Sequence, residues 1–176
     1  MSKVKQRTKQ NIKEALTLLL SEENNINNVS VKQLADKVGI NRSTFYLHYH
    51  DITEVADEIS NEIMDDIFKG YEVINTIEDI YSLLNYSIEY IELNNHNLLA
   101  YIYLDDIELV ILKFKNKAFD IISSSKLLTK YNSNDFNFYL KFYLDGLLQS
   151  IISSIKTNDF TIVKNNAVIL FNKLFT

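Results

Sequence analysis

From Asn41 to His50 the chain reads NRSTFYLHYH, which crowds hydrogen-bonding side chains of several kinds into one short run. The guanidinium fork of Arg42 matches the O6 and N7 edge of a guanine. Ser43 and Thr44 can reach base edges, and Leu47 suits a thymine methyl. Tyr46 and His48 are better suited to phosphate oxygens, and Lys32 and Lys37 just upstream can add backbone contacts. Asn41, at the head of the run, completes this candidate duplex-contacting set.

Such chemistry needs one flank of a short helix held outward. The preceding residues, VKQLADKVGI, are built to do that. Ser30 can cap a helix over roughly Val31 to Val38, with Val31, Leu34, Ala35 and Val38 on its inner face. Ala35 keeps this helix thin where the next one crosses it. Gly39 supplies a left-handed turn without steric penalty. Asn41 caps a third helix, roughly Arg42 to Tyr49. Phe45 and Tyr49, four apart, anchor that helix to Leu34, Val38, Ile40 and the first helix. The pattern is that of a helix-turn-helix, whose second helix enters the major groove.

The remainder also reads as helix. The first spans about Lys5 to Ser21, with Ile12, Ala15, Leu16, Leu19 and Leu20 on one face. Asp51-Ile-Thr-Glu54 opens a fourth helix that ends near Gly70, with Ile52, Val55, Ile59, Ile63 and Ile67 facing inward. Thr76 starts a fifth helix running to about Leu93. Helical pattern resumes from Leu98 to about Ser125, with a candidate break at Asp105-Asp106. A long helix covers about Asp135 to Lys156, and a last one about Thr161 to Phe175.

Net charge is −5 in 176 residues, but it is unevenly spread. Residues 1–50 carry +4 and residues 51–176 carry −9. A basic head on an acidic body suits a protein that meets phosphates at one end only. This shift marks the expected boundary, with a DNA-binding domain over 1–50 and a helical dimerisation and effector domain over 51–176.

The first 55 residues closely resemble the TetR family of bacterial transcription regulators. The resemblance rests on TKQNIKEALTLLL, VSVKQLADKVGI and NRSTFYLHYHDITEV. The form NRSTFYxHY is similar to a group of short TetR-type regulators that includes the activator of dihydroxyacetone kinase operons. It implies a three-helix DNA-binding head and an all-helical second part that dimerises and often binds an effector. It further implies that Thr44, Tyr46 and His48 contact phosphates while Arg42, Ser43 and Leu47 face bases. Two features depart from the family: Ile52 stands where a phosphate-touching lysine is usual, and the Glu22 to Asn28 loop lacks the usual glycine.

The body offers its own support for dimerisation. The helix over Asp135 to Lys156 is apolar nearly all round, which a single-sided surface helix is not. With the last helix it is expected to form a four-helix contact across a twofold axis, through Phe136, Tyr139, Tyr143, Leu147, Ile151 and Phe171. Gly146 would permit close helix approach. Tyr71, Tyr86, Tyr90, Tyr101, Tyr103 and Phe119 are candidates to line an effector pocket, since tyrosine joins an apolar body to a polar handle.

Enzyme chemistry finds little footing. There is no cysteine, hence no thiol nucleophile, thiolate metal site or disulfide. The three glycines, Gly39, Gly70 and Gly146, form no phosphate loop. His48, His50 and Asp51 make a poor metal set, because His48 and His50 point to different sides of a helix. No cofactor is indicated. With no signal peptide and no apolar run of about 18 residues, a soluble cytoplasmic protein without membrane contact is expected. The reading is thus all-α and non-enzymatic: a dimeric repressor of TetR type on an inverted-repeat DNA operator, open to release by a small molecule. The alternative is a helical protein–protein interaction regulator or co-activator with weak or no DNA affinity.

Overall fold

The computed structural model describes residues 3–23, 25–95, 98, 107–125 and 133–175. The regular structure among them is helical, with no strand. In chain order the helices are α1 (Lys3–Glu23), α2 (Val31–Val38), α3 (Arg42–Tyr46), α4 (Ile52–Phe68), α5 (Ile77–Leu93), α6 (Ile107–Ser123), α7 (Ser133–Thr157) and α8 (Thr161–Phe175). A 3₁₀ turn, Ile26–Asn28, links α1 to α2. No described helix is long and apolar enough to cross a membrane.

Local chemistry explains the boundaries. At the start of α2 the Ser30 and Gln33 side chains and backbones cap each other. At its end Gly39 adopts φ 75°, and the Ile40 N–H reaches back to the Ala35 carbonyl at 3.0 Å. Together with the Gly39 N–H on Asp36, this satisfies the last carbonyls of the helix. Asp51 accepts the Glu54 N–H at 2.8 Å to open α4. Thr76 and Asp79 form the corresponding reciprocal cap on α5. Asn158, with φ 54°, makes the turn between α7 and α8, and asparagine is among the residues that tolerate this region.

The chain divides into two compact units, and the division falls inside α4 between Ile63 and Met64. The first holds α1 to α3 and α4 as far as Ile63. The second holds the end of α4, α5, α6 from Glu108, α7 and α8. The compositional shift at residue 50 precedes α4, yet the first unit runs on to Ile63. The reason is packing: Val55, Ala56 and Ile59 of α4 join Ile12, Leu16, Leu20, Leu34 and Phe45 in one core.

In the second unit α5 and α7 both pack on α8. Its core includes Leu83, Leu84, Ile88, Leu140, Leu144 and Phe171. An aromatic cluster closes it: Tyr143 and Phe171 meet edge to face with ring centres 5.4 Å apart, as do Phe136 and Phe175. The Tyr143 hydroxyl donates to the Ala167 carbonyl at 2.9 Å, so this buried phenol is satisfied.

Candidate nucleic-acid interface

The partition of side chains on α3 is sharp. Phe45 is 0% exposed and Tyr49 2%, whereas Leu47 is 77% and Tyr46 50% exposed. Arg42 and Ser43 are exposed beside them, and Thr44 is half-buried. Asn41 organises the start of the helix. Its Oδ1 accepts from the Thr44 N–H at 2.7 Å and from the hydroxyls of Ser43 and Thr44 at 2.6 and 2.7 Å. Those three polar side chains are therefore engaged with each other as a cap, and Arg42 and Tyr46 are the longer polar side chains that project beyond it.

α3 is shorter than its sequence suggests. It ends at Tyr46, not Tyr49. The Leu47 N–H is shared between the Ser43 and Thr44 carbonyls, and the His48 N–H turns to Phe45 at 2.9 Å. The Tyr49 N–H still reaches the Phe45 carbonyl at 3.1 Å, which keeps Tyr49 on the buried side with Phe45, the two ring centres 6.0 Å apart. Leu47 and His48 thus sit in a turn, off the helical row that carries Arg42. Ile52 is half-buried and packs against the core of this unit.

The basic residues fall into two groups. Lys3, Lys5 and Arg7 on the first turns of α1, and Lys32 on α2, are exposed. Lys37 is also exposed but pairs with Glu22 at 2.8 Å. Lys9 and Lys13 turn inward onto α4. Lys9 lies 2.5 Å from Glu58, and Lys13 lies 3.5 Å from Glu58 and pairs more closely with Glu62. Lys13 is itself buried. Burial alone would raise the Glu58 carboxyl. The hydrogen bond from Lys9 and the charges of Lys9 and Lys13 outweigh it and hold the group below the usual carboxylate range. His48 is depressed by partial burial first, then by the nearby charges of Lys5 and Lys9.

Sequence reasoning misses this ladder between α1 and α4, although its signal is there. Lys9 and Lys13 are four apart, as are Glu58 and Glu62, so each pair lies on one helix face. The sequence could not pair the two faces with each other.

Four of the six expected effector residues are among the described ones. Tyr71, Tyr86 and Tyr90 run along the surface with ring centres 6.1 and 6.2 Å apart, and the Tyr90 hydroxyl donates to Asp66 at 3.2 Å. Phe119 lies elsewhere, beneath the Lys141 ammonium at 5.2 Å. Tyr101 and Tyr103 lie outside the described residues. A separate apolar void, lined by Phe68, Leu84, Ile88, Phe114, Ile122 and their neighbours, measures about 20 Å³. That is room for about one water.

The expected dimer residues divide by burial. Phe136, Tyr143, Ile151 and Phe171 are interred in the core of their own unit, and Leu147 is half-buried. Among the six, Tyr139 is exposed. The outward apolar surface of α7 and α8 is instead Phe138, Tyr139, Phe142, Ile162, Ile169 and Leu170. A near-continuous apolar pattern shows that both faces of a helix are greasy, but not which one its own chain covers. Gly146 is exposed, and a Cβ there would meet nothing within 4 Å.

Among the described residues no group of three or more His, Asp or Glu is placed to hold a metal ion. No protein-family model matches the chain, and no curated protein matches it.

Proposed function

We propose that the chain is a TetR-like transcription regulator that binds an inverted-repeat DNA operator as a homodimer and represses a nearby gene. The observation that carries this reading is the two-sidedness of α3. Its buried aromatic side, Phe45 with Tyr49 just beyond, pins it, its outer side offers Arg42, Ser43 and Tyr46, and exposed Leu47 follows in the turn. A short helix held in this way is what reading a major groove requires. Exposed Lys3, Lys5, Arg7 and Lys32 supply charge for phosphates on the same unit.

Dimerisation is supported by the large apolar side chains left in water on α7 and α8. Phe142 is 69% exposed and Ile162 74%. Pairing α7 and α8 with those of a second copy would cover them, and Gly146 would let the two α7 helices approach. Two heads must then reach successive major grooves about 34 Å apart, which calls for twofold-related half-sites. Release by a small molecule belongs to the same reading, and the void beside Phe114 would have to widen to admit one.

The test is sequence selection from a random duplex pool, followed by titration of the enriched site. An inverted repeat should emerge, with binding that weakens steeply as salt rises. A pool that yields no common sequence would overturn the reading.

A second reading is favoured by a different observation. Lys9, Lys13 and Lys37 are all neutralised by carboxylates of the chain itself, and Ile52 is apolar. On this reading the first unit docks another protein and has little DNA affinity. Failure to retard the DNA upstream of its own gene, even at low salt, would favour it.

A further inference from the structure

The Tyr49 hydroxyl is buried and has no partner at ordinary hydrogen-bond distance, although Glu58 is near enough for a weak bond that helps to raise the phenol. Buried polar groups left in this way are uncommon, and each calls for an account. The nearest charged acceptor is identifiable. After burial, the Glu58 carboxylate is the main cause holding the Tyr49 phenol above its ordinary pKa. Glu58 is engaged elsewhere, however, by the Lys9 ammonium at 2.5 Å. Lys9 Nζ also lies 4.6 Å from the centre of the Tyr49 ring, so one ammonium meets both the carboxylate and the ring.

Three features make this arrangement exchangeable. The Lys9 side chain retains 22% of its exposure, so its ammonium can turn outward. It is close enough to depress the His48 imidazole, and His48 belongs to the expected phosphate-contacting set. Glu58 has a second cation, Lys13, at 3.5 Å, and would not be left uncompensated if Lys9 withdrew.

We propose that Lys9 changes partners when the first unit meets a polyanion: its ammonium leaves Glu58 for a duplex phosphate oxygen, and the Tyr49 hydroxyl donates to the carboxylate oxygen it vacates. No proton changes owner; one charge-assisted hydrogen bond is traded for another. Lys9 is then a latent phosphate ligand and Tyr49 a positioning residue that stabilises the exchanged state. The packing of α4 on α1, which sets the reach from Tyr49 to Glu58, tunes how readily Lys9 is released. This deepens the DNA-binding reading and rests on it.

The test is fluorescence anisotropy with a mixed-sequence DNA duplex over a range of salt, on the full chain and on K9M and Y49F. Wild type should show a linear fall of log affinity with log salt. K9M should lower that slope by about 0.9 per bound head, one phosphate contact fewer. Y49F should unfold at the same or a higher temperature than wild type, having lost a buried donor that is at best weakly bonded. It should nevertheless bind the duplex about tenfold more weakly, because Glu58 then has only the more distant Lys13, and no hydrogen-bond donor, in place of Lys9. A purely structural ion pair predicts otherwise: an unchanged slope in K9M and unchanged affinity in Y49F, and either result overturns the exchange. If K9M does not fold, Y49F alone decides. Absence of any salt-dependent duplex binding by wild type would overturn the DNA reading itself, and the exchange with it.

Discussion

Lys13 of α1 and Glu62 of α4 pair directly, although Lys13 is buried and Glu62 keeps about half of its side chain in water. Glu58 reaches the same ammonium at 3.5 Å. Two carboxylates therefore share one buried cation, and the consequences can be measured.

Either carboxylate alone can hold Lys13, so E58Q and E62Q should each cost little. The double variant should cost more than their sum, about 3 kcal/mol, because it leaves a buried ammonium unpaired. A double-mutant cycle by urea unfolding reads the coupling, and simple additivity would contradict the shared-cation account.

The pH dependence has a defined sign. Glu58 is held below its unfolded pKa, so it stabilises the fold above about pH 4.3, where the unfolded chain is also ionised. That contribution disappears as pH falls through the lowered folded value. E58Q should accordingly destabilise the protein only slightly at neutral pH and remove part of the acid-side loss. Unfolding curves for both proteins, from pH 7 down to the acid transition, should converge.

Gly39 sits at φ 75°, where a side chain is strained even though an added Cβ would meet no neighbour within 4 Å. Gly39→Ala should lower stability by about 1 kcal/mol through backbone strain alone. A shift in melting temperature reads this. An unchanged or higher value would mean that the turn relaxes.

Arg42 and Lys32 should separate in a binding experiment. R42A is expected to lose about 1–3 kcal/mol against its best site and to relax preference at one base position. K32A should weaken all sequences alike and lower the salt slope. If R42A keeps the wild-type base preference, Arg42 is not the base-reading residue that the proposed function makes it.

If the proposed dimer forms through the outer face of α7, Phe142→Glu should leave protomer folding intact and abolish self-association, since Phe142 contacts mainly water in a single chain. Gly146→Ala is the finer probe. It should raise helix stability by about 1 kcal/mol in the protomer, where nothing opposes a Cβ. It should weaken association if the α7 helices approach there. Sedimentation velocity alongside thermal unfolding distinguishes the two effects.

Much of this molecule is legible in its sequence. Ser30, Gly39, Asn41 and Thr76 mark helix ends because capping is decided by residues within a turn of one another. The buried pair Phe45 and Tyr49 is readable for the same reason, as a four-residue spacing beside a short helix. What tertiary structure alone decides are the relations between distant segments. It alone joins Lys9 and Lys13 to Glu58 and Glu62, and buries the Tyr49 hydroxyl near Glu58. It also turns Phe136, Tyr143 and Phe171 inward while Phe138 and Phe142 face out. Hydrophobicity is an undirected property: a helix apolar on both sides specifies how much surface must leave water, and only the packing of its neighbours specifies which side goes.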